Sequence, residues 1–211
     1  MIEKATAAAL AGRDAFDAGL YRAVVGVSHH TGGLNGLVNW WSDYGLALFA
    51  VLAGLVWWQV RGRDLRTAAI ALWVPGAMVV AFVISSVLKS VIQEQRPCRA
   101  MPTVHIATSC PGTSDYSFPS NHAVLAGAAA VAVCFAAAHL LGTATGRLLA
   151  AIAVLNALVI AASRVYIGVH YPHDVVVGLL VGGLVSAAGA FLLVKVLDRI
   201  IPAGAARLRT R

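Results

Sequence analysis

The stretch SRVYIGVHYPHD, residues 163–174, sets an arginine, two histidines and an aspartate between long apolar runs. His170 and Asp174 are four apart, with Pro172 setting a turn between them. At that spacing a carboxylate can hold one ring nitrogen of an imidazole and leave the other free to attack an electrophile. Arg164 adds a planar fork that matches phosphate oxygens. In KSVIQEQRP, residues 89–97, Lys89 and Arg96 are seven apart, two helical turns on one face, before Pro97 ends the helix. In SFPSNHA, residues 117–123, Ser120 is a natural N-cap ahead of Asn121 and His122. The free N–H groups of such a helix start bind phosphate well. Each island has a plain structural alternative: cations snorkelling to headgroups, a lone cap, a histidine bonded between helices. Two histidines, three cations, a serine and an aspartate on one face point instead to nucleophilic chemistry on an anion such as phosphate.

Membrane helices must position these islands. The 211 residues are 59% hydrophobic and 12% charged, with mean hydropathy +0.79. A soluble domain is roughly 45–50% apolar and about 25% charged. Five apolar runs, near 44–60, 68–92, 121–141, 147–163 and 174–197, approach the length a bilayer core demands. The expected fold is an all-α multi-pass bundle of five membrane helices, or six if the N-terminal helix inserts. Residues 1–36 carry Arg13, Asp14, Asp17 and Arg22 among apolar residues at helical spacing. That pattern predicts an interfacial helix, and it lacks the basic start and cleavage site of a signal peptide. No internal repeat or linker divides the chain, so residues 1–211 read as one domain.

The net charge of +7 is a topology signal. Arg61, Arg63 and Arg66, then Arg147, then Lys195, Arg199, Arg207, Arg209 and Arg211 fall in alternate connections. This is the positive-inside pattern, and it argues against a nucleic-acid partner. By parity, all three islands emerge together on the outer side. Cys98 and Cys110 share the loop between the first two islands, where an oxidising compartment would let them pair. A disulfide is expected there, two free thiols being the alternative, and Cys134 reads as a small packing residue.

In order and spacing the three islands resemble the type 2 phosphatidic acid phosphatase superfamily, whose signature is K-x6-RP, PSGH and SR-x5-H-x3-D. KSVIQEQRP and SRVYIGVHYPHD are complete, and PSNH carries Asn121 where many members have glycine; the match spans residues 89–174. The resemblance implies that His170 is a nucleophile passing through a phosphohistidine. Asp174 would orient it, and His122 would protonate the leaving oxygen. Lys89, Arg96, Ser120 and Arg164 would cradle the phosphate with a backbone N–H of Asn121. No cofactor and no metal are expected. Three cations can stabilise the equatorial oxygens, no acidic cluster suits Mg²⁺, and His29, His30 and His173 lack a ligand set.

The segment GLNGLVNWWSDYGLALFAVLAGLVWW and the SFPSNHA form of the second motif resemble the bacterial undecaprenyl-diphosphate phosphatases. That branch implies a polyprenyl diphosphate taken from the bilayer, cut to the monophosphate at the outer face of a bacterial plasma membrane. Phosphatidic acid, phosphatidylglycerophosphate and a decaprenyl-linked phosphoribose phosphate are the alternative substrates. Two readings of another class remain. A vanadate haloperoxidase would use a similar anion pocket, but that group is soluble. A lipid-phosphate carrier would need the cations, but not His122 or the His170–Asp174 pair. The sequence carries no signal for an oligomeric state.

Overall fold

The computed structural model describes residues 17–201. Helix α1 covers 17–30. After a 3-10 turn at Gly32–Leu34 come α2 (Asn35–Tyr44), α3 (Ala47–Val60), α4 (Leu65–Ile92) and the short α5 (Pro97–Ala100). The chain ends with α6 (Asn121–Leu140), α7 (Thr143–Tyr166) and α8 (Pro172–Ile200). Four helices (α4, α6, α7 and α8) are long and apolar enough to cross a membrane, and α2 with α3 makes a fifth, bent by 50°. This agrees with the five expected spans. Arg13, Asp14, Arg207, Arg209 and Arg211 lie outside the described residues.

The bend comes at Gly45, where a Cβ would strike the Trp41 carbonyl. A break in a membrane helix frees backbone carbonyls that lipid cannot satisfy. Here the Gly45 carbonyl accepts from the Leu48 N–H at 3.2 Å and also from Asn156 Nδ2 of α7 at 3.1 Å. The bend leaves Ser42 and Asp43 at the end of α2, against α7.

Helix α6 is the central post, with eleven of its twenty residues buried, mostly alanine. Lipid tails are as apolar as leucine, so helices in a bilayer associate by close contact rather than by escape from water. Glycine makes that contact possible between α6 and α8. A Cβ on Gly182 would overlap the Val124 carbonyl, one on Gly127 the Leu179 backbone, and one on Gly178 would lie 2.9 Å from the Ala123 Cβ. The outward faces keep large apolar side chains exposed, among them Val79 and Val87 on α4, Leu155 on α7, and Leu184 and Phe191 on α8. Such a belt suits lipid contact.

Antiparallel helices sort the charges by end. At one end Arg66 pairs with Asp198 at 2.6 Å, and Arg63 donates to the Leu140 carbonyl at 3.2 Å. The other end gathers the close of α4 and α7 with the start of α6 and α8. One local expectation is corrected there. Helix α4 stops at Ile92, where Gln93 turns left-handed at φ 53°. Pro97 therefore starts α5 instead of ending α4, and Arg96 is its extended N-cap. Proline has no N–H to lose at a first helical position, and it pushes the preceding residue out of the helical region. Cys98 and Cys110 form a disulfide, Cα–Cα 6.0 Å, tying α5 to the long segment before α6.

If the α6–α8 approach holds the bundle, Gly182→Val should destabilise it by about 2 kcal/mol or more through overpacking. The readout is the melting temperature in detergent. Gly54→Ala, which meets nothing within 4 Å, should melt like the parent chain.

Candidate active site

The third island folds around Asp174. Tyr171 is the N-cap of α8, Pro172 its first residue, and Asp174 sits in its first turn. One carboxylate oxygen, Oδ2, accepts from the Tyr171 N–H at 2.9 Å, from Ser117 Oγ at 2.5 Å, and lies 3.1 Å from His170 Nδ1. Gly168, at φ 87°, makes the turn that delivers His170, and a Cβ there would strike Ile106. His170 is 1% exposed. Arg96 NH1 lies 3.0 Å from His170 Nε2. A guanidinium can only donate, so Nε2 carries the lone pair and Nδ1 the proton. Burial, chiefly, pushes the His170 pKa down to about 3; the hydrogen bond and charge of Asp174 oppose this, while Arg96 and Arg164 add to it. The ring is neutral at physiological pH, with its lone pair aimed at the cations.

Those cations are themselves buried: Lys89 is 8% exposed, Arg96 4% and Arg164 7%. Arg96 Nε donates to the Asp115 carbonyl at 2.8 Å and NH1 to the Val169 carbonyl at 2.9 Å. Its NH2 lies 2.9 Å from Asp115 Oδ1, and Lys89 Nζ reaches the same oxygen at 3.2 Å and also the Tyr116 carbonyl. Burial pushes the Asp115 carboxyl up, but the hydrogen bonds and charges of Arg96 and Lys89 outweigh it and hold the group below its usual range. Arg164 NH1 donates to Ser42 Oγ at 2.9 Å and to Asp43 Oδ1 at 3.3 Å.

Ser120 is the N-cap of α6, yet its hydroxyl makes no capping bond. Its Oγ and Arg164 Nε are both buried without a partner. Buried polar atoms are almost always satisfied, so such orphans mark a place for a missing acceptor. The Ser120 N–H donates to the Asp174 carbonyl at 3.2 Å, joining the second island to the third. Asn121 takes the first position of α6, and its Oδ1 accepts from Ser85 Oγ at 2.6 Å. His122 follows on the same turn, among the charges of Arg164, Asp43, Arg96 and Lys89.

All eight residues singled out in the three motifs thus meet at one end of the bundle. Sequence reasoning missed Asp115, Ser117, Ser42, Asp43, Asp17 and Glu94. Glu94 and Ser117 lay inside the quoted islands, Asp17 in the charged N-terminal segment, and Ser42 and Asp43 beside the first apolar run, but none was given a place in the site; Asp115 carried no signal. His173 also has more company than expected. Its Nδ1 lies 2.8 Å from Asp17 Oδ2, and its Nε2 lies 3.1 Å from Glu94 Oε1 and 3.3 Å from Asp174 Oδ1. Glu94, His173 and Asp174 bring atoms able to hold a metal within 4.8 Å of one another, a set absent from the sequence reading. Helix α1 braces this corner further, with Tyr21 OH donating to the Gly168 carbonyl at 2.9 Å.

Comparison with known proteins places the chain in a family. Residues 70–197 match the PAP2 superfamily. An undecaprenyl-diphosphatase of Sulfolobus acidocaldarius is 30% identical over 156 residues, covering 72% of this chain and 68% of that protein. The undecaprenyl-diphosphatase BcrC of Bacillus subtilis is 28% identical over 183 residues, 87% of this chain and 85% of that one. Among solved structures, the transmembrane PAP2-type phosphatidylglycerolphosphate phosphatase of B. subtilis superposes with TM-score 0.65 at 24% identity, over 91% of this chain and 89% of that one. At that identity the likeness speaks for the fold. Motifs, fold and relatives agree: the chain belongs to the PAP2 superfamily and is a membrane lipid phosphatase of that family.

Proposed function

We propose that the protein removes the terminal phosphate of a polyprenyl diphosphate, undecaprenyl diphosphate first among them, through a phosphohistidine at His170. The observation that carries the mechanism is an unprotonated His170 Nε2 facing Arg96 at the end of the bundle that also holds two buried, unpartnered donors, Ser120 Oγ and Arg164 Nε. A phosphoryl group bound there would receive those donors together with the charges of Lys89 and Arg96 and an N–H from the start of α6. Phosphoryl transfer chiefly needs such positioning and charge stabilisation.

In the first step the His170 Nε2 lone pair forms a bond to phosphorus, and the bond from phosphorus to the leaving oxygen breaks. His122 gives that oxygen a proton. In the second step water attacks the phosphohistidine, His122 takes back a proton, and inorganic phosphate leaves with His170 restored. Asp174 holds the Nδ1 proton throughout and stabilises the ring as it gains positive charge. Ser117 and the Tyr171 N–H fix the carboxylate for that task. Three cations supply the charge a metal would otherwise bring, so the reaction should proceed without one.

The choice of substrate rests on the two undecaprenyl-diphosphatases among the relatives. The outer-face assignment rests on Arg61, Arg63, Arg66, Arg147, Lys195 and Arg199, all placed towards the end opposite the site. Phosphatidic acid, phosphatidylglycerophosphate and a decaprenyl-linked phosphoribose phosphate are the substrates to exclude.

Purified protein in detergent with EDTA should release phosphate from undecaprenyl diphosphate faster than from either glycerolipid. His170→Ala should lower that rate by at least about a thousandfold, as loss of a nucleophile does in comparable sites. Full loss of activity in EDTA, restored by a divalent ion, would contradict the metal-free mechanism. Histidine ¹⁵N NMR offers a check on the nucleophile. The His170 signal, assigned by its loss in His170→Asn, should stay that of a neutral ring at pH 5; a titration midpoint near 6.5 would contradict the buried tautomer. The orientation can be read in intact cells: Thr113→Cys should react with a membrane-impermeant maleimide added outside.

A further inference from the structure

Asp115 occupies the position of a substrate competitor. Arg96 spends its N–H groups on the Asp115 carbonyl, the Val169 carbonyl, His170 Nε2 and Asp115 Oδ1. Lys89 gives its ammonium to the Tyr116 carbonyl and the same Asp115 oxygen. Apart from the contact to His170, the donors these two cations direct at an anion are the ones Asp115 Oδ1 now holds. One N–H of Arg96 and one of Lys89 remain over; an arriving phosphate can take the donors that Asp115 Oδ1 holds only if the carboxylate leaves.

Asp115 is suited to leave. It lies outside any helix, and its side chain is 51% exposed while those of Lys89 and Arg96 are 10% and 4% exposed. Turning the carboxylate away costs little desolvation, and the loop can stay put because the Arg96 Nε bond goes to the Asp115 backbone. A cleft of about 220 Å³ opens beside it, lined by Gln93, Arg99, Thr113 and Tyr116 among others. Arg99 donates to the Pro111 carbonyl, but its Nε is buried with no partner. Asp115 and Arg99 line the same cleft, which therefore holds both room and a cation for a departing carboxylate.

Resting on the phosphatase reading, we propose that Asp115 is a built-in anion that holds Lys89 and Arg96 at rest and passes to Arg99 when the substrate phosphate takes its place. The exchange sets a threshold for binding. A monoanionic phosphodiester merely swaps one negative charge for another beside the two cations. A terminal phosphate dianion adds one, and its three oxygens also reach Ser120 Oγ and Arg164 Nε.

The test is the dissociation constant of inorganic phosphate for the full chain in detergent, followed by ³¹P NMR. Asp115→Asn keeps the side chain's shape and removes its charge, and should tighten phosphate binding at least tenfold. Unchanged or weaker binding would overturn the proposal, because Asp115 would then be a support for the two cations. Arg99→Gln is the second variant, expected to weaken phosphate binding at least threefold; an unchanged constant would overturn the transfer to Arg99. Failure of every chain to bind phosphate would overturn the exchange as a whole. Lipid turnover measured on the same samples separates the two readings: a parent chain that binds phosphate yet cleaves no lipid phosphate defeats the phosphatase mechanism and leaves the anion exchange standing.

Discussion

Lys89, Arg96 and Arg164 bring three positive charges together at one end of a membrane bundle, each less than a tenth exposed. Burying one unpaired charge is costly, and burying three like charges side by side adds repulsion. Much of the surrounding structure reads as compensation for this. Asp115 bridges two of the cations, Asp43 and Ser42 meet the third, and the Tyr116, Asp115 and Val169 carbonyls take further donors. Among the buried polar atoms left without a hydrogen-bond partner, Ser120 Oγ and Arg164 Nε are the two donors on residues of the three motifs.

The same constraint explains why small residues matter so far from the chemistry. The cradle draws on α4, α6, α7 and α8 and on the segment before α6. Its geometry survives only if α6 and α8 stay in backbone contact, which Gly127, Gly178 and Gly182 permit. The Ser120 N–H bond to the Asp174 carbonyl is the local expression of that contact, joining the cap of α6 to the first turn of α8. Helix α1 adds a brace from outside the bundle, through Asp17 to His173 and Tyr21 to Gly168. The turn that carries His170 is thus held from several sides.

The spans were legible because lipid imposes long apolar runs, and the three polar islands stood out against them. The geometry of His170 and Asp174 followed from a four-residue spacing and a proline. Arg96 was placed on the wrong element, because a left-handed Gln93 is invisible in a sequence that keeps helical spacing through it. Asp115 and Ser117 sit in a long segment without regular structure, where pairing depends on tertiary position alone. Asp17 and Glu94 reach His173 from positions 156 and 79 residues away, a convergence no local pattern reveals. The bend at Gly45 hid between two apolar stretches, since one glycine in such a run is commonplace.

The most direct test of the account is whether phosphate passes through His170. The protein is mixed with undecaprenyl diphosphate, quenched in base within milliseconds, digested and analysed by mass spectrometry. The mechanism predicts a phosphorylated peptide containing His170, base-stable and acid-labile, that forms no slower than phosphate is released and is absent from His170→Asn. Steady turnover with no phosphate on His170 at any time, or with phosphate on another residue, would contradict it.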